Sequence, residues 1–356
     1  MISLLIAYYG FCTPPPEEFD LYRHYELFDS IVIGKFDIEN AKYFGMYILC
    51  YIIKLFSLPK ELLPFISLFL NYYILLSVCY DEIRKNKEIK VKDYFFITLF
   101  ILFNVIPLVD FYSGIRFPIG ISLSFYAIYK KQNKKIGNIK FLLIALLSIS
   151  FHKFITIIFI IYFISIFFKL NYRIEKKIRI LIFGLLIFLS YNESLFIKIF
   201  GFIPEEFQRE YGMKGYLLGE GSSEAFGFGG AQYFFKQYNI IGKIAIILED
   251  IFQKYFYIFY VMINKNRNNF ILILTYIILL CSKFQAFSIR YTYILSYFLM
   301  IYIIRKYKKI NTIYFEIFTL IIVAYNIVMW KEKLYLFIGI KDFTFSIPLL
   351  KIFNIY

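Results

Sequence analysis

A single arginine stands at the apex between two long apolar runs and is the first candidate for chemistry. The runs 94–109 and 115–129 meet at a short polar elbow whose only charged residues are Asp110 and Arg116. An arginine near the bilayer centre costs roughly 2.5–3.5 kcal/mol on insertion scales, so it is kept there only with an anionic partner or ligand. We expect Arg116 to anchor an anion. The alternative is that it reaches outer headgroups or pairs with Asp110.

Arg290 has the same context as Arg116, because it lies at another apex beside the start of an apolar run. The planar guanidinium fork suits a phosphate or a carboxylate, and arginines at such apexes predict a phosphate site. Lys153 and Lys283 are the next candidates for the same anion. The alternative for Arg290 is an ion pair with Glu249 inside the helix bundle.

His152 interrupts the apolar stretch 141–168, in which Lys153 is the one other residue that carries a charge near neutral pH. An imidazole titrates near neutral pH, so His152 is a candidate general base. It could equally hydrogen-bond a neighbouring helix. A full span needs about 20 residues, so the stretch cannot hold two. Two short tilted helices that meet at His152, below the outer surface, are predicted.

A polar segment near the N-terminus combines carboxylates, a histidine and aromatic rings. If it is helical, Asp20, Arg23 and His24 share one face, since residues three and four apart are neighbours on a helix. Carboxylates beside aromatic rings suit sugar hydroxyls and sugar faces, although a solvated amphipathic helix has the same pattern. The candidates are Asp20, Tyr22, Arg23, His24, Tyr25 and Glu26, with Asp20 and Glu26 as alternative bases to His152.

The composition is that of an integral membrane protein. Of 356 residues, 60% are hydrophobic and 22% are aromatic, and the apolar residues come in runs separated by short charged stretches. This pattern predicts an all-α, polytopic protein with about 11–12 transmembrane helices in a single transmembrane domain, 1–356. The net charge of +15 is assigned to basic loops beside anionic lipid headgroups, so no nucleic acid partner is expected.

The basic loops predict the orientation of the chain. Those within 84–92, 130–135, 169–179, 265–267 and 305–309 alternate with apexes that carry few positive charges, so they are expected to face the cytoplasm. The Arg116 apex, the His152 turn and the glycine-rich loop 201–239 then face outward. Three apolar runs separate the Asp20 segment from Arg116, so the short run 43–57 must be re-entrant or partly inserted if both face outward.

No motif for a metal or a nucleotide is found. The sequence has no DxD, HExxH, Walker or GxGxxG pattern, and the two histidines lie far apart. We therefore expect no cofactor and no metal site.

Four short stretches of the sequence together resemble the EpsG-like branch of the Wzy-type polysaccharide polymerases. The likeness lies in the segment from Asp20 to Tyr25, the Gly-Ile-Arg116 elbow, the Ser-Phe-His152 turn and the Ser-Ile-Arg290-Tyr-Thr-Tyr stretch. The resemblance implies an architecture of the GT-C-like polymerase and ligase kind. It also implies that Arg116 and Arg290 hold a pyrophosphate, that His152 lies at the reacting centre, and that Tyr291 is a further candidate for sugar binding.

The resemblance implies a metal-independent membrane glycosyltransferase that makes O-antigen, capsule or exopolysaccharide. It would transfer a growing glycan from undecaprenyl pyrophosphate to a sugar hydroxyl of another lipid-linked repeat unit, at the periplasmic face of the bacterial inner membrane. Donor, acceptor and membrane lipid are the implied partners, with a chain-length regulator as a further candidate. A lipid-linked oligosaccharide flippase or another multi-helix transporter is the main alternative, and it predicts internal repeats and charges on both leaflets.

Overall fold

The computed structural model is helical wherever it describes regular structure. It describes residues 1–13, 15, 20–35, 43–86, 89–105, 108–167, 268–281, 285–307 and 312–338, together with 181–182, 184–186, 188, 258 and 261. Within these ranges no strand occurs, which agrees with the predicted all-α class. The loop 201–239 and most of the other residues of 168–267 lie outside the described residues.

The observed helices cover the predicted runs 43–57, 115–129 and 141–168, whereas the run 94–109 is divided between two helices and a π-helical turn. The twelve α-helices within the described ranges are α1 Ile2–Cys12, α2 Asp20–Ser30, α3 Phe44–Leu55, α4 Leu62–Lys85, α5 Val91–Phe100, α6 Leu108–Ser113, α7 Arg116–Gln132, α8 Asn138–Phe151, α9 Ile155–Phe167, α10 Asn269–Leu280, α11 Gln285–Arg305 and α12 Thr312–Ile338. A π-helical turn, Ile101–Val105, continues α5.

The elbow before Arg116 is narrower than the sequence predicts. The expected apex included Asp110, but Asp110 lies inside the short helix α6, and the chain turns at Gly114 and Ile115. Arg116 is then the first residue of α7. The side chain of Asp110 is outside the described part of the structure, so its predicted pairing with Arg116 stays a prediction.

The surface and lengths of the helices bear on membrane insertion. Among the described residues, α4 is the one helix both long and apolar enough to cross a membrane, and six apolar helical stretches are shorter, at 10–17 residues. Helix α8 exposes a stripe of Leu142, Leu143, Leu146 and Leu147. Such an apolar surface suits lipid better than water. The number of 11–12 spans stays a prediction.

The chain groups into two compact units. The first contains residues 1–159 and 300–356, and the second contains residues 160–299. In the first unit, α5 packs on α12 through Phe100 and Phe315, whose ring centroids are 5.4 Å apart. In the second unit, the ring of Phe270 in α10 packs on Tyr162 at 6.1 Å and on Phe298 at 5.1 Å. The prediction of a single transmembrane domain is left untested by this grouping.

A close approach of α7 and α8 positions the two strongest site candidates. A Cβ atom on Gly120 would lie 3.2 Å from the Ser148 carbonyl oxygen in α8 and 2.8 Å from the side chain of Ile155, which begins α9, so only glycine fits there without displacing a neighbour. The Ser148 hydroxyl donates to the Gly120 carbonyl at 2.6 Å. Small residues at such a contact let helices pack backbone to backbone. Arg116, at the start of α7, is thereby held beside His152, directly after α8.

Helices α8 and α9 meet at His152, as predicted. They contain 14 and 13 residues, and His152 lies between them in extended backbone with φ −154° and ψ 113°. At about 1.5 Å per residue, each helix is near 20 Å long, which is shorter than a hydrocarbon core of about 30 Å. The side chain of His152 is buried at 7% exposure.

Helix α3 does not run the length of the first unit, and the contacts at its two ends locate α2, the Asp20 segment, within that unit. Tyr43, just before α3, contacts Arg116, whereas Lys54 in its last turn donates to the carbonyls of Phe28 and Asp29 at 2.9 Å each. The twelve residues of α3 reach only about 18 Å.

Two contacts place α2 and the elbow at the same end of α4. Lys60, just before α4, pairs with Asp29 of α2 at 2.6 Å. The hydroxyl of Ser67, near the start of α4, donates to the carbonyl of Phe111 in α6, just before the elbow, at 2.8 Å. The short α3 between these contacts is compatible with a run 43–57 that is re-entrant or partly inserted, which stays a prediction.

A buried carboxylate organises the opposite end of α4. Glu82 is 4% exposed and accepts hydrogen bonds from Tyr129 at 2.5 Å, from Lys85 at 2.6 Å and from Arg305 at 2.6 Å. Arg305 also donates to the side-chain oxygen of Asn133 at 3.2 Å. Hydrogen bonds thus connect three of the loops that were predicted to be cytoplasmic, 84–92, 130–135 and 305–309, at one end of the first unit.

Candidate active site

Arg116 and His152 contact the same aromatic ring. The guanidinium carbon of Arg116 lies 3.9 Å from the centroid of the Tyr43 ring, which is a cation–π contact. The Tyr43 ring also stacks on the imidazole of His152, with the ring centroids 6.2 Å apart. Tyr43 precedes α3, Arg116 begins α7 and His152 follows α8, so three separate helix ends converge here. A cation and a titratable ring are thus both held against Tyr43.

Further aromatic rings surround the imidazole of His152. Phe117 meets it edge to face at 5.1 Å, and Phe154 stacks on it at 5.5 Å. A Cβ atom on Gly45 would lie 2.5 Å from the Ser150 hydroxyl oxygen, so the start of α3 lies directly on the end of α8. Close packing of this kind fixes the orientation of a side chain, as a reacting group requires.

The elbow before Arg116 is fixed by hydrogen bonds from both sides. Besides the bond from Ser67 to Phe111, the hydroxyl of Tyr112 donates to the carbonyl of Thr13 at 2.8 Å. Thr13 follows α1, and its own hydroxyl donates to the Tyr9 carbonyl. These bonds connect α1, α4 and α6, so the position of Arg116 depends on the whole first half of the chain.

His24 faces the cluster from α2. Its side chain is 5% exposed, and its Nε2 atom has no hydrogen-bond partner within the residues that the structure describes. Burial, helped by the positive charges of Arg116 and Arg23, lowers the pKa of His24 from 6.5 to about 3. His24 is therefore a neutral imidazole at physiological pH, and Arg116 is close enough for its charge to act on it.

The low pKa of His24 should make the protein lose stability as the pH falls. In the unfolded chain the imidazole binds a proton below pH 6.5, whereas in the folded protein it stays neutral to about pH 3. The stability is therefore intact above pH 6.5 and declines as the pH is lowered toward 3, by about 1.4 kcal/mol at pH 5.5. Tm in detergent at pH 7.5, 6.5 and 5.5 measures this decline.

The matched comparison for this prediction is His24→Gln. The amide does not titrate, so the variant should lose less stability between pH 7.5 and 5.5 than the wild type. All other titrating groups, His152 included, are common to both proteins and cancel in the difference. Parallel pH profiles of Tm would contradict the buried, neutral state of His24.

The other residues of the N-terminal segment point in different directions from α2. Asp20 and Arg23 pair with each other at 3.5 Å, where both are accessible to solvent. Tyr22 and Glu26 are exposed, whereas Tyr25 is buried. The segment is helical as predicted, but His24 does not join Asp20 and Arg23 in one accessible group, because the apolar face of α2 turns it inward with Leu21 and Phe28.

The remaining predicted ligands lie farther along the chain. Lys153 follows His152 directly and is half-buried. Arg290 is half-buried and Tyr291 is fully buried, both in α11 and within the second unit. Lys283 lies outside the described residues. The convergence of Arg290 with Arg116 and His152 stays a prediction.

Tyr43 is a site residue that the sequence did not indicate. It is one of 34 tyrosines and stands at the start of an apolar run, where nothing in its spacing distinguishes it. Glu61 and Lys60 were likewise missed, although their place in the short polar stretch between α3 and α4 could have pointed to them. Glu61, Lys60 and Asp29 border a cavity beside α2.

The comparison with protein families shows which family the chain belongs to. The model of the EpsG family matches residues 2–342, which is nearly the whole chain. The chain belongs to the EpsG family. Its membership and its apolar helices make it a membrane protein of polysaccharide biosynthesis, with a polymerase-type function. Neither a curated protein nor a solved structure matches the chain.

Proposed function

We propose that this EpsG family member is an oligosaccharide repeat-unit polymerase of the bacterial cytoplasmic membrane. It transfers a growing glycan from undecaprenyl pyrophosphate to a sugar hydroxyl of a second lipid-linked repeat unit, at the outer face. The observation that carries the proposal is the contact of Arg116 and His152 with one ring, that of Tyr43. This contact holds a permanent cation and a proton acceptor next to each other, which is what the reaction requires.

The reaction needs charge stabilisation and one proton transfer. The acceptor hydroxyl oxygen bonds to the anomeric carbon of the donor, the bond from that carbon to the phosphate oxygen breaks, and undecaprenyl pyrophosphate leaves. Arg116 stabilises the negative charge that grows on the leaving diphosphate. His152 takes the hydroxyl proton. Arg290, Lys153 and Lys283 are proposed as further ligands of the diphosphate, and Asp20 and Glu26 as alternative bases.

The orientation of the site follows from the basic end of the first unit. Arg305 and Lys85 bind Glu82 at one end of α4, and the Arg116 elbow binds Ser67 near its other end. Basic loops face the cytoplasm in membrane proteins. We therefore propose that Arg116 faces the periplasm or the outside, in a bundle of 11–12 spans, with undecaprenyl-linked donor and acceptor entering from the outer leaflet.

The test is polymerisation by the purified protein in proteoliposomes. Supplied only with repeat units on undecaprenyl pyrophosphate, it should produce a ladder of glycan lengths on a gel and release undecaprenyl pyrophosphate in equal amount to the bonds formed. Repeat units on undecaprenyl monophosphate, which carry a poorer leaving group, should give little product. Transport of intact lipid-linked units without any ladder would contradict the proposal and favour a flippase.

His152→Ala should lower the initial rate of ladder formation about a hundredfold, because general base catalysis typically contributes at least this factor. Added imidazole should restore part of the rate, and the pH dependence of the residual rate should lose the step assigned to His152. Ser77→Ala is the control, since Ser77 lies in α4 and its hydroxyl likewise bonds a carbonyl of its own helix, that of Ile74, at 3.0 Å. A rate that imidazole does not restore would make His152 a packing residue.

A further inference from the structure

A cavity of about 330 Å³ lies beside α2 in the first unit. It is bordered by the residues after α1, by one face of α2 and by the polar stretch before α4. Cavities of about 300–1,000 Å³ are the usual size of small-ligand sites. This one is next to the Arg116 cluster, since His24 faces Arg116 and the following residue, Tyr25, borders the cavity.

The border of the cavity carries an excess of negative charge. Three carboxylates, those of Glu26, Asp29 and Glu61, face a single ammonium group, that of Lys60. Lys60 is already paired with Asp29 at 2.6 Å, and it also lies 5.2 Å from the centroid of the Tyr25 ring. An anionic ligand would be repelled by the two carboxylates that remain. The cavity therefore differs in chemistry from the cationic Arg116 cluster.

Tyr25 borders the cavity and carries a buried hydroxyl. Its side chain is 6% exposed, and its hydroxyl has no hydrogen-bond partner in the described parts of the chain. Burial, with the nearby charge of Glu61, raises the pKa of Tyr25, so the hydroxyl keeps its proton. A buried hydroxyl without a partner costs free energy, which a ligand that bonds to it can recover. Tyr22, also at the border, adds an exposed aromatic ring.

We propose that this cavity binds the acceptor saccharide and that it selects sugars that are uncharged or carry an amino group, against sugars that carry a carboxylate. That the bound sugar is the acceptor rests on the proposed function. Glu26 and Glu61 accept hydrogen bonds from sugar hydroxyls or from an ammonium group, Tyr25 donates to a sugar oxygen, and the Tyr22 ring packs on the apolar face of the sugar.

The experiment uses the full chain in lipid nanodiscs and small probes of known charge. The probes are the methyl glycosides of glucose, galactose and mannose, with the amino sugar and the uronic acid of each. Saturation-transfer NMR measures their binding. We expect binding of at least one neutral or amino sugar, and at least tenfold weaker binding of the matching uronic acid. A uronic acid that binds as tightly as its neutral counterpart, or no binding by any probe, would overturn the inference.

Two variants connect this selectivity to the cavity. Tyr22→Ala should weaken binding of the neutral and amino sugars about tenfold, and Glu61→Gln should reduce the discrimination against the uronic acid. Tyr80→Ala and Asp81→Asn are the matched controls, because these residues are accessible and lie at the other end of α4. Binding that the two cavity variants leave unchanged would overturn the assignment.

The ladder assay separates this inference from the proposed function. If the wild type forms no ladder but binds the sugars with the expected selectivity, the polymerase proposal fails and the saccharide site remains. If a ladder forms and Tyr22→Ala and Glu61→Gln alter neither sugar binding nor polymerisation, the polymerase proposal remains and the saccharide site is wrong.

Discussion

Replacing Arg116 by alanine should reduce ladder formation about 10²- to 10³-fold. Removal of one group that stabilises the charge of a transition state typically costs this much, which is about 2.7–4 kcal/mol. Arg116 is the candidate cation for the leaving diphosphate, and Tyr43 holds its guanidinium in place at 3.9 Å. The initial rate of undecaprenyl pyrophosphate release in proteoliposomes measures the effect. The loss should appear in kcat more than in KM, because the charge grows only as the bond breaks.

Two comparisons make the Arg116 result specific. Arg84→Ala removes another arginine that lies over a tyrosine ring, at 5.7 Å from that of Tyr80, but at the opposite end of α4, and it should leave the rate unchanged. Arg116→Lys keeps the charge and loses the planar fork, so an intermediate rate is expected. An Arg116→Ala protein that polymerises as fast as the Arg84→Ala protein would remove Arg116 from the site.

Replacing Glu82 by alanine should destabilise the protein by about 3 kcal/mol. Breaking a buried ion pair costs about 3–5 kcal/mol, because a charge loses its partner where water cannot replace it. The lower value applies here, since Arg305 and Lys85 are about half exposed and can turn toward water. The hydroxyl of Tyr129, which is buried, also loses its acceptor. Tm in detergent and the denaturant midpoint measure the loss.

Asp81→Asn is the control for the Glu82 prediction. Asp81 is the preceding residue, is 44% exposed and pairs with Lys135 at 3.6 Å. Exposed pairs contribute about 0–1 kcal/mol, so its Tm should hardly change. A second comparison is the double variant Glu82→Leu with Arg305→Leu, which should be more stable than Glu82→Ala, since neither charge is left without its partner. Equal Tm values for the Glu82→Ala and Asp81→Asn proteins would contradict the buried network.

The two predictions probe opposite ends of the same helices. Helix α7 carries Arg116 at its start and Tyr129 in its last turns, a separation of about 20 Å along the helix axis. Helix α4 likewise joins Ser67, which fixes the elbow, to Glu82. The Glu82 network therefore sets the relative position of the helices that carry the candidate site. Glu82→Ala should impair both stability and polymerisation, whereas Arg116→Ala, which loses only a cation–π contact, should lower Tm much less.

The sequence by itself determined the helices of the described residues and most of the candidate site. Apolar runs bounded by proline, glycine and charges define helices locally, so their bounds could be read along the chain. Arg116 and His152 were recognisable because a charged or titratable side chain inside an apolar run is costly and is retained for a partner or a function. The sequence predicted a turn that begins at Asp110, whereas the chain turns only at Gly114. The six residues Leu108–Ser113 could form either a turn or a short helix, and they form a helix.

Only the tertiary structure decided which residues surround those candidates. Tyr43 contacts Arg116 and His152 although it is distant from both in sequence, and Arg305 reaches Glu82 across 223 positions. Local propensity and periodicity contain no information about such pairs, which depend on how helices pack. The direction of the His24 side chain, toward the interior, likewise depends on how helices pack. Its spacing allowed an accessible face with Asp20, but burial of the neighbouring apolar side chains of α2 decided its direction.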